Sequence, residues 1–197
     1  KLSIAAGLRP AGLMIINHEL LSAFTKTENV CWVMTFGRSP QASITANDVE
    51  YSPTGTTFTL DGTQMKLPLL GPGNLDNALA AWTVCRRLGI SITEFSRALV
   101  SLPAVAMRAE LLRLDGITVI NDCYNASPAS MANALNILTS LAADTDSRKV
   151  FICGDMAELG PQSHRLHREL ADEIARNGID LMLTVGPGSR LTAQLLG

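Results

Sequence analysis

Asn121-Asp122-Cys123-Tyr124-Asn125 places a carboxylate, a phenol and two amides within one short polar stretch. That set offers hydrogen-bond donors and acceptors together. On its N-terminal side, Ile117, Val119 and Ile120 are β-branched, as a buried strand requires. On its C-terminal side, Ala129, Met131, Ala132, Leu135, Leu138 and Leu141 contain the three- and four-residue steps of a helix stripe. Ser127 is then the predicted N-cap, with Pro128 at the first helical position. A strand ending in polar residues beside a helix N-terminus gathers hydrogen-bonding groups at the edge where open α/β sheets take ligands. A well-capped βα turn with no ligand accounts for the same residues.

Other candidates surround it. Asn74 and Asn77 lie at i and i+3 near a predicted helix start, on one face. Their amides present donor and acceptor together, as a purine edge demands, though Asn is equally a favoured N-cap. Arg108 follows a linker, where its guanidinium would suit phosphate or serve as a plain surface charge. Gly154-Asp155-Met156-Ala157-Glu158-Leu159-Gly160 follows another predicted strand, so parallel strands would bring Asp155 and Glu158 to the edge that carries Asp122. The plain alternative is a turn with helix-capping carboxylates. His164 and His167 have a metal-binding step, but no Cys or third His accompanies them, and a surface helix face is expected. Gly186-Pro187-Gly188-Ser189 makes a poor phosphate nest, because Pro187 lacks an amide donor. The sequence has no Gly-x-x-x-x-Gly-Lys-Ser/Thr, so an ordinary P-loop cannot be built from these residues.

The elements that must position these residues fall into two patterns. Residues 1–106 begin β-rich: Leu13 to Ile16, Val30 to Phe36, Ala42 to Val49, Thr56 to Leu60 and Met65 to Leu70 read as strands, Leu20 to Phe24 as a short helix. Asp61-Gly62 is a predicted hairpin turn and Pro68 marks an edge. Helices follow over Asn74 to Leu88 and Ile92 to Leu99, the second capped by Ser91 or Thr93. Residues 107–197 alternate instead. Strands at Leu111 to Leu114, Ile117 to Ile120, Val150 to Cys153 and Leu181 to Val185 alternate with helices over Pro128 to Ala142 and His164 to Arg176. A further helix-like segment starts at Ser189. The whole reads as an α/β protein whose second part is a parallel sheet with helices on its faces.

The bulk composition narrows the partners. In 197 residues, 47% hydrophobic content supplies a packed core, and a net charge of -2 creates no basic field for nucleic acid or an anionic membrane. No apolar run approaches a bilayer span and the start lacks a signal-peptide layout, so no membrane insertion and a cytoplasmic location are expected. Cys31, Cys85, Cys123 and Cys153 form no CxxC pair and read as reduced thiols. The chain starts on Lys1 without Met and stops just after a helix begins, so both ends read as cut from a longer protein.

Taken together in order, these segments resemble the Mur ligase family. Asn121 to Met131 is similar to its Asp-Asp-x-Tyr-Asn-Ala-Asn-Pro-x-Ser-Met segment, and Gly154 to Gly160 to its Gly-Asp-Met-x-Glu-Leu-Gly. Gly71 to Asn77 resembles Gly-x-His-Asn-x-x-Asn, and Arg108-Ala109-Glu110 resembles Gly-Arg-x-Glu. Lys1-x-x-Ile4-x-x-Gly7-Leu8 is similar to the segment that carries the family's carbamylated lysine. The chain departs from the pattern with Gly73 for His, Met107 for Gly, Asn121 for Asp and Ser127 for Asn.

The resemblance implies the C-terminal part of a central ATPase domain followed by a truncated Rossmann-like C-terminal domain. It implies an ATP- and Mg²⁺-dependent, monomeric ligase of peptidoglycan precursor synthesis. Such an enzyme joins D-Ala-D-Ala to UDP-MurNAc-tripeptide through an acyl phosphate, and this stretch would be inactive alone for want of the P-loop. By the same resemblance Asn74 and Asn77 would contact adenine, Arg108 a phosphate, and Asp122 the ribose or phosphate region across the interdomain cleft. Lys1, if carbamylated, would ligate Mg²⁺, a hard cation that prefers oxygen. Tyr124, Asn125, Asp155 and Glu158 would face the incoming dipeptide or the domain interface. A folylpolyglutamate or cyanophycin synthetase relative, or a non-catalytic α/β binding module, is the competing expectation.

Overall fold

A computed structural model of the chain describes residues 2–9, 11–23, 30–143 and 146–196. The protein divides into two compact units, Lys1–Leu69 with Gly73–Pro103 and Leu70–Pro72 with Ala104–Gly197.

In the first unit β1 (Gly12–Asn17) pairs in parallel with β2 (Val30–Gly37), and β3 (Ile44–Thr45) extends that sheet beyond β2, again in parallel. Met14 and Ile16, two apart on β1, turn one face inward onto Ala5 of the 3-10 helix Leu2–Gly7. A second, antiparallel sheet follows in the order β4 (Asn47–Ser52), β5 (Gly55–Leu60) and β6 (Thr63–Leu67). The strand expected over Ala42 to Val49 is thus two strands. Ile44–Thr45 pairs with β2, whereas Asn47 onward pairs with β5, so the chain changes sheets at Ala46. The hairpin turn at Asp61-Gly62 is as expected, with φ of 46 and 76, the two left-handed residues that a type I′ turn needs. β6 stops at Leu67 on the edge of its sheet, so Pro68 removes no ladder donor.

Helix α1 (Pro72–Arg87) begins two residues earlier than the Asn74 start predicted, because proline fits the first helical turn and Gly71 enters it at φ +83. Leu75, Ala78, Leu79 and Trp82, at helical steps, pack on Phe58, Leu60 and Met65 of the antiparallel sheet. Helix α2 (Ile92–Val100) adds Phe95 and Leu99, and Phe95 meets Trp82 with ring centroids 5.1 Å apart. Each such large apolar side chain contributes roughly 1.5–3 kcal/mol on burial. Trp82 Nε1 donates to Asp61 Oδ2 at 3.0 Å, tying the helix to the hairpin turn. Ser91 is the N-cap of α2, in a capping box with Glu94.

The second unit departs from the expected parallel alternation at its start. Strands β7 (Glu110–Leu114) and β8 (Ile117–Asn121) form an antiparallel hairpin, closed by Asp115 and Gly116 at φ of 44 and 84. Helix α3 (Pro128–Ala142) opens as predicted, with Ser127 Oγ accepting the Ser130 N–H at 3.2 Å. Strands β9 (Val150–Gly154) and β10 (Leu181–Val185) are parallel, joined through α4 (Ser163–Arg176), and α5 (Pro187–Gln194) follows. Phe151 and Cys153 of β9 point into a core with Met131 and Leu135 of α3 and Leu170 and Ile174 of α4. Ile152 and Val185 stay 66% and 69% exposed, so among the described residues helices cover one face of this sheet rather than both.

Candidate functional site

The first unit brings polar groups together where β1 and β2 end and α1 begins. Asn74 occupies the third position of α1, so it is not the N-cap, and Asn77 lies one turn on and exposed. Between them Asp76 Oδ1 sits 3.7 Å from Arg38 Nε, and the Arg38 guanidinium also reaches Glu19 at 3.7 Å. Burial raises the Asp76 carboxyl above the usual range, against the lowering pull of Arg38. The Nδ1 atom of His18 and Oδ1 of Asp76 are buried without a hydrogen-bond partner. Sequence reasoning missed His18, Glu19, Arg38 and Asp76. The available signal was position: His18 and Arg38 each follow directly on the C-terminal end of a parallel strand.

In the second unit, two segments interlock around Arg108. Ala109 N–H donates to Asp122 Oδ1 at 3.0 Å, and Tyr124 N–H donates to the Met107 carbonyl at 3.2 Å. Glu110 Oε2 accepts from the Met107 N–H at 3.0 Å and from Asn121 Nδ2 at 3.1 Å. Residues 107–110 are thereby fastened to residues 121–124, and the Arg108 guanidinium carbon lies 4.2 Å over the Tyr124 ring. Burial raises the Asp122 carboxyl despite the Ala109 hydrogen bond and the nearby Arg108 charge. Asn121 takes a donor's role toward Glu110 that an aspartate at this position would not supply.

Met107 and Ala109, on either side of Arg108, both have left-handed backbones at φ of 58 and 49. The glycine in the family's pattern at position 107 is explained by this angle. A left-handed residue with a Cβ costs about 1–2 kcal/mol, partly offset by the roughly 0.5–1 kcal/mol of chain entropy that glycine loses. Met107 is 41% exposed and gives up little packing. Met107→Gly is therefore expected to stabilise the protein by about 0.5–1 kcal/mol, read as a rise in urea midpoint at unchanged slope.

The parallel strand pairing expected to bring Asp155 and Glu158 to the edge of Asp122 is not formed. β8 pairs with β7 and β9 with β10, so the strand ends carrying the two groups belong to different sheets. Asp155 instead caps α5: the Ser189 N–H donates to its Oδ1 at 2.7 Å. That bond, ahead of smaller contributions from Gly188 and Ser189, holds the carboxyl below the usual range. The amides after β10 thus hold the chain's own carboxylate. Gly186, at φ +113, passes so close that a Cβ there would lie 2.5 Å from the Asp155 carboxyl carbon. Glu158 is exposed at φ 58, and Asn125 Oδ1 accepts its neighbour Ala126 N–H at 2.9 Å.

His167 is not on a surface face as expected: it is 1% exposed, whereas His164 is exposed. Its Nδ1 donates to the Ser163 carbonyl at 2.8 Å and its Nε2 accepts the Met156 N–H at 3.3 Å. These partners assign the neutral Nδ1–H tautomer and leave neither ring nitrogen for a metal. Cys153, buried and beside Asp155, has its thiol pushed up to about 11 and packs as an inert apolar group. Among the described residues no group of three His, Cys, Asp or Glu side chains could hold a metal ion, and Lys1 lies outside them.

Comparison with known proteins agrees with this two-unit α/β arrangement. Residues 1–85 match the Mur ligase middle domain and residues 107–196 the Mur ligase, glutamate ligase domain. The chain belongs to the Mur ligase family. Among its relatives it is 35% identical over 192 residues to the UDP-N-acetylmuramoyl-tripeptide--D-alanyl-D-alanine ligase of Bacillus subtilis, covering 94% of this chain and 40% of that protein. The ligase of the same name from Escherichia coli is 30% identical over 208 residues, covering 98% and 44%. A crystal structure of MurF from Acinetobacter baumannii superposes with a TM-score of 0.80 at 25% identity, covering 98% of this chain and 43% of that one. A MurF ligase from Thermotoga maritima, solved in complex with ADP, has the same fold at a TM-score of 0.77 and 22% identity, covering 97% and 44%. The chain thus spans about two fifths of the length of the curated relatives it matches, 40% and 44% in the two named.

Proposed function

We propose that this chain is part of an ATP-dependent ligase that joins D-Ala-D-Ala to UDP-MurNAc-tripeptide in peptidoglycan precursor synthesis, in the cytoplasm and as a monomer. The observation that carries the reading is the fastening of Arg108 and Asp122 into one rigid corner by the Ala109–Asp122 and Tyr124–Met107 hydrogen bonds. A corner of that kind presents a cation and a carboxylate together, as a nucleotide's phosphate and ribose require. The relatives' names supply the substrates, and the ADP bound to a fold neighbour supplies the nucleotide class.

In this reading the tripeptide's terminal carboxylate oxygen bonds to the γ-phosphorus of ATP, and the bond from that phosphorus to ADP breaks. The D-Ala-D-Ala amine then attacks the acyl carbon, inorganic phosphate leaves, and the amine sheds its proton to solvent or a basic group. Arg108 offsets charge on the phosphates, Asp122 accepts a ribose hydroxyl, and Asn74 with Asn77 frames the adenine edge. The two amides offer donor and acceptor together, as a purine edge requires. Asn125 and Glu158 are left facing the incoming dipeptide, while Asp155 is engaged as the cap of α5. Mg²⁺ would offset phosphate charge when it arrives with ATP, and the described residues assign it no ligand set, so no step here runs through it.

The test is phosphate release from ATP by the full-length protein. Release should require UDP-MurNAc-tripeptide and D-Ala-D-Ala together, and product mass should rise by the dipeptide less one water. Release that ignores D-Ala-D-Ala, or that answers to glutamate and a folate acceptor, refutes the reading.

A further inference from the structure

We propose that Tyr124 is a positioning residue whose ring face sets the orientation of the Arg108 guanidinium toward the nucleotide's phosphate. The inference rests on the placement of Arg108 at phosphate proposed above and adds the group that aims it.

The geometry is specific. The guanidinium carbon of Arg108 stands 4.2 Å over the Tyr124 ring centroid, and both side chains lie outside the core, Tyr124 being 61% exposed. Among the described residues Arg108 forms no ion pair with a carboxylate. A carboxylate clamp would consume two of the five guanidinium N–H donors in the plane of the group. An aromatic ring acts on the face of the group, by cation–π attraction and stacking, and leaves the in-plane donors pointing outward for a bidentate anion. The ring thus holds the guanidinium without competing for the ligand.

The ring is itself fixed relative to Arg108. The Tyr124 N–H donates to the Met107 carbonyl at 3.2 Å, one residue before Arg108, and the Ala109 N–H, one residue after it, is held by Asp122 Oδ1 at 3.0 Å. Left-handed backbone at Met107 and Ala109 bends the chain on both sides of Arg108. Platform and guanidinium therefore share one frame, and movement of either segment carries both.

The test measures kcat/KM for ATP in the full-length protein, by phosphate release with UDP-MurNAc-tripeptide and D-Ala-D-Ala present. The variants are Tyr124→Leu, Tyr124→Phe, Arg108→Ala and Arg108→Ala/Tyr124→Leu. Tyr124→Leu removes the π face and is expected to lose about 3- to 30-fold. Tyr124→Phe keeps the face and should restore most of that loss. The double variant should be no slower than Arg108→Ala alone, because the ring acts only through the guanidinium. Losses that multiply in the double variant, or a Tyr124→Phe loss equal to that of Tyr124→Leu, would overturn the proposal, since Tyr124 would then touch substrate itself. The reading beneath it fails in a different place: Arg108→Ala alone would run at the wild-type rate, leaving nothing for Tyr124 to position.

Discussion

Full-length protein carrying Arg108→Ala is expected to turn over ATP about 10²- to 10³-fold more slowly than wild type, the usual result of removing one preorganised charge-stabilising donor. Its melting temperature should hardly move. Arg108 is exposed, forms no ion pair among the described residues, and contributes to the fold mainly through its ring contact with Tyr124. An exposed cation–π pair is worth about 0.5–1 kcal/mol, which corresponds to a shift of no more than roughly 2–4 °C. The hydrogen bonds that build the corner run through the backbone at Met107, Ala109 and Tyr124 and survive the substitution. Differential scanning fluorimetry beside steady-state phosphate release separates the two effects. A melting temperature that collapses with activity would assign Arg108 to the fold and remove it from the site.

What could be read in the sequence was local chemistry. Ser127 with Pro128, the Ser91 or Thr93 cap of α2, and Asp61-Gly62 each solve a problem within four residues, satisfying orphan N–H groups or supplying two left-handed residues, so a short window contains the whole cause. Asp115-Gly116 carried the same turn chemistry and closes the β7–β8 hairpin. The regular strand–helix alternation that follows suggests a parallel pattern for those strands instead, and without that pattern the ground for expecting Asp155 beside Asp122 is gone. Pairing partners are set by tertiary packing, on which neither strand's own residues are informative.

The site divides in the same way. Arg108, Asp122 and Tyr124 were found as residue types beside turns, yet their mutual arrangement depends on an interlock across about a dozen positions, such as Ala109 to Asp122. The Arg38–Asp76 pair spans still more chain, and nothing in either local sequence announces it. His167 is the instructive miss. It stands with Leu170, Ala171 and Ile174 at steps of three, four and seven, all of them buried on α4, so the apolar stripe itself marked that histidine as interior. His164, three residues earlier, falls outside that stripe and is exposed.

That interior histidine leads to the largest stability effect expected. Gly188→Ala should destabilise the protein by about 3 kcal/mol or more, adding the cost of overpacking to that of a broken buried hydrogen bond. Gly188 does not have a left-handed backbone, so strain in the chain is not the cause. A Cβ at that position would lie 2.6 Å from Nε2 and 2.8 Å from Cε1 of His167. The ring has nowhere to go. It is gripped by the Ser163 carbonyl on one side and the Met156 N–H on the other, and the His167 carbonyl accepts from Thr192 Oγ1 at 2.9 Å, which locks α4 to α5. Displacing the ring frees the Met156 amide in a buried place and loosens the turn that carries Asp155 to the start of α5. Urea unfolding measures the loss, and a double-mutant cycle identifies its cause. His167→Ala alone is costly, but in its presence Gly188→Ala should cost little, because the colliding ring has been removed. Equal costs of Gly188→Ala in the two backgrounds would show that the close approach to His167 is not what requires glycine there.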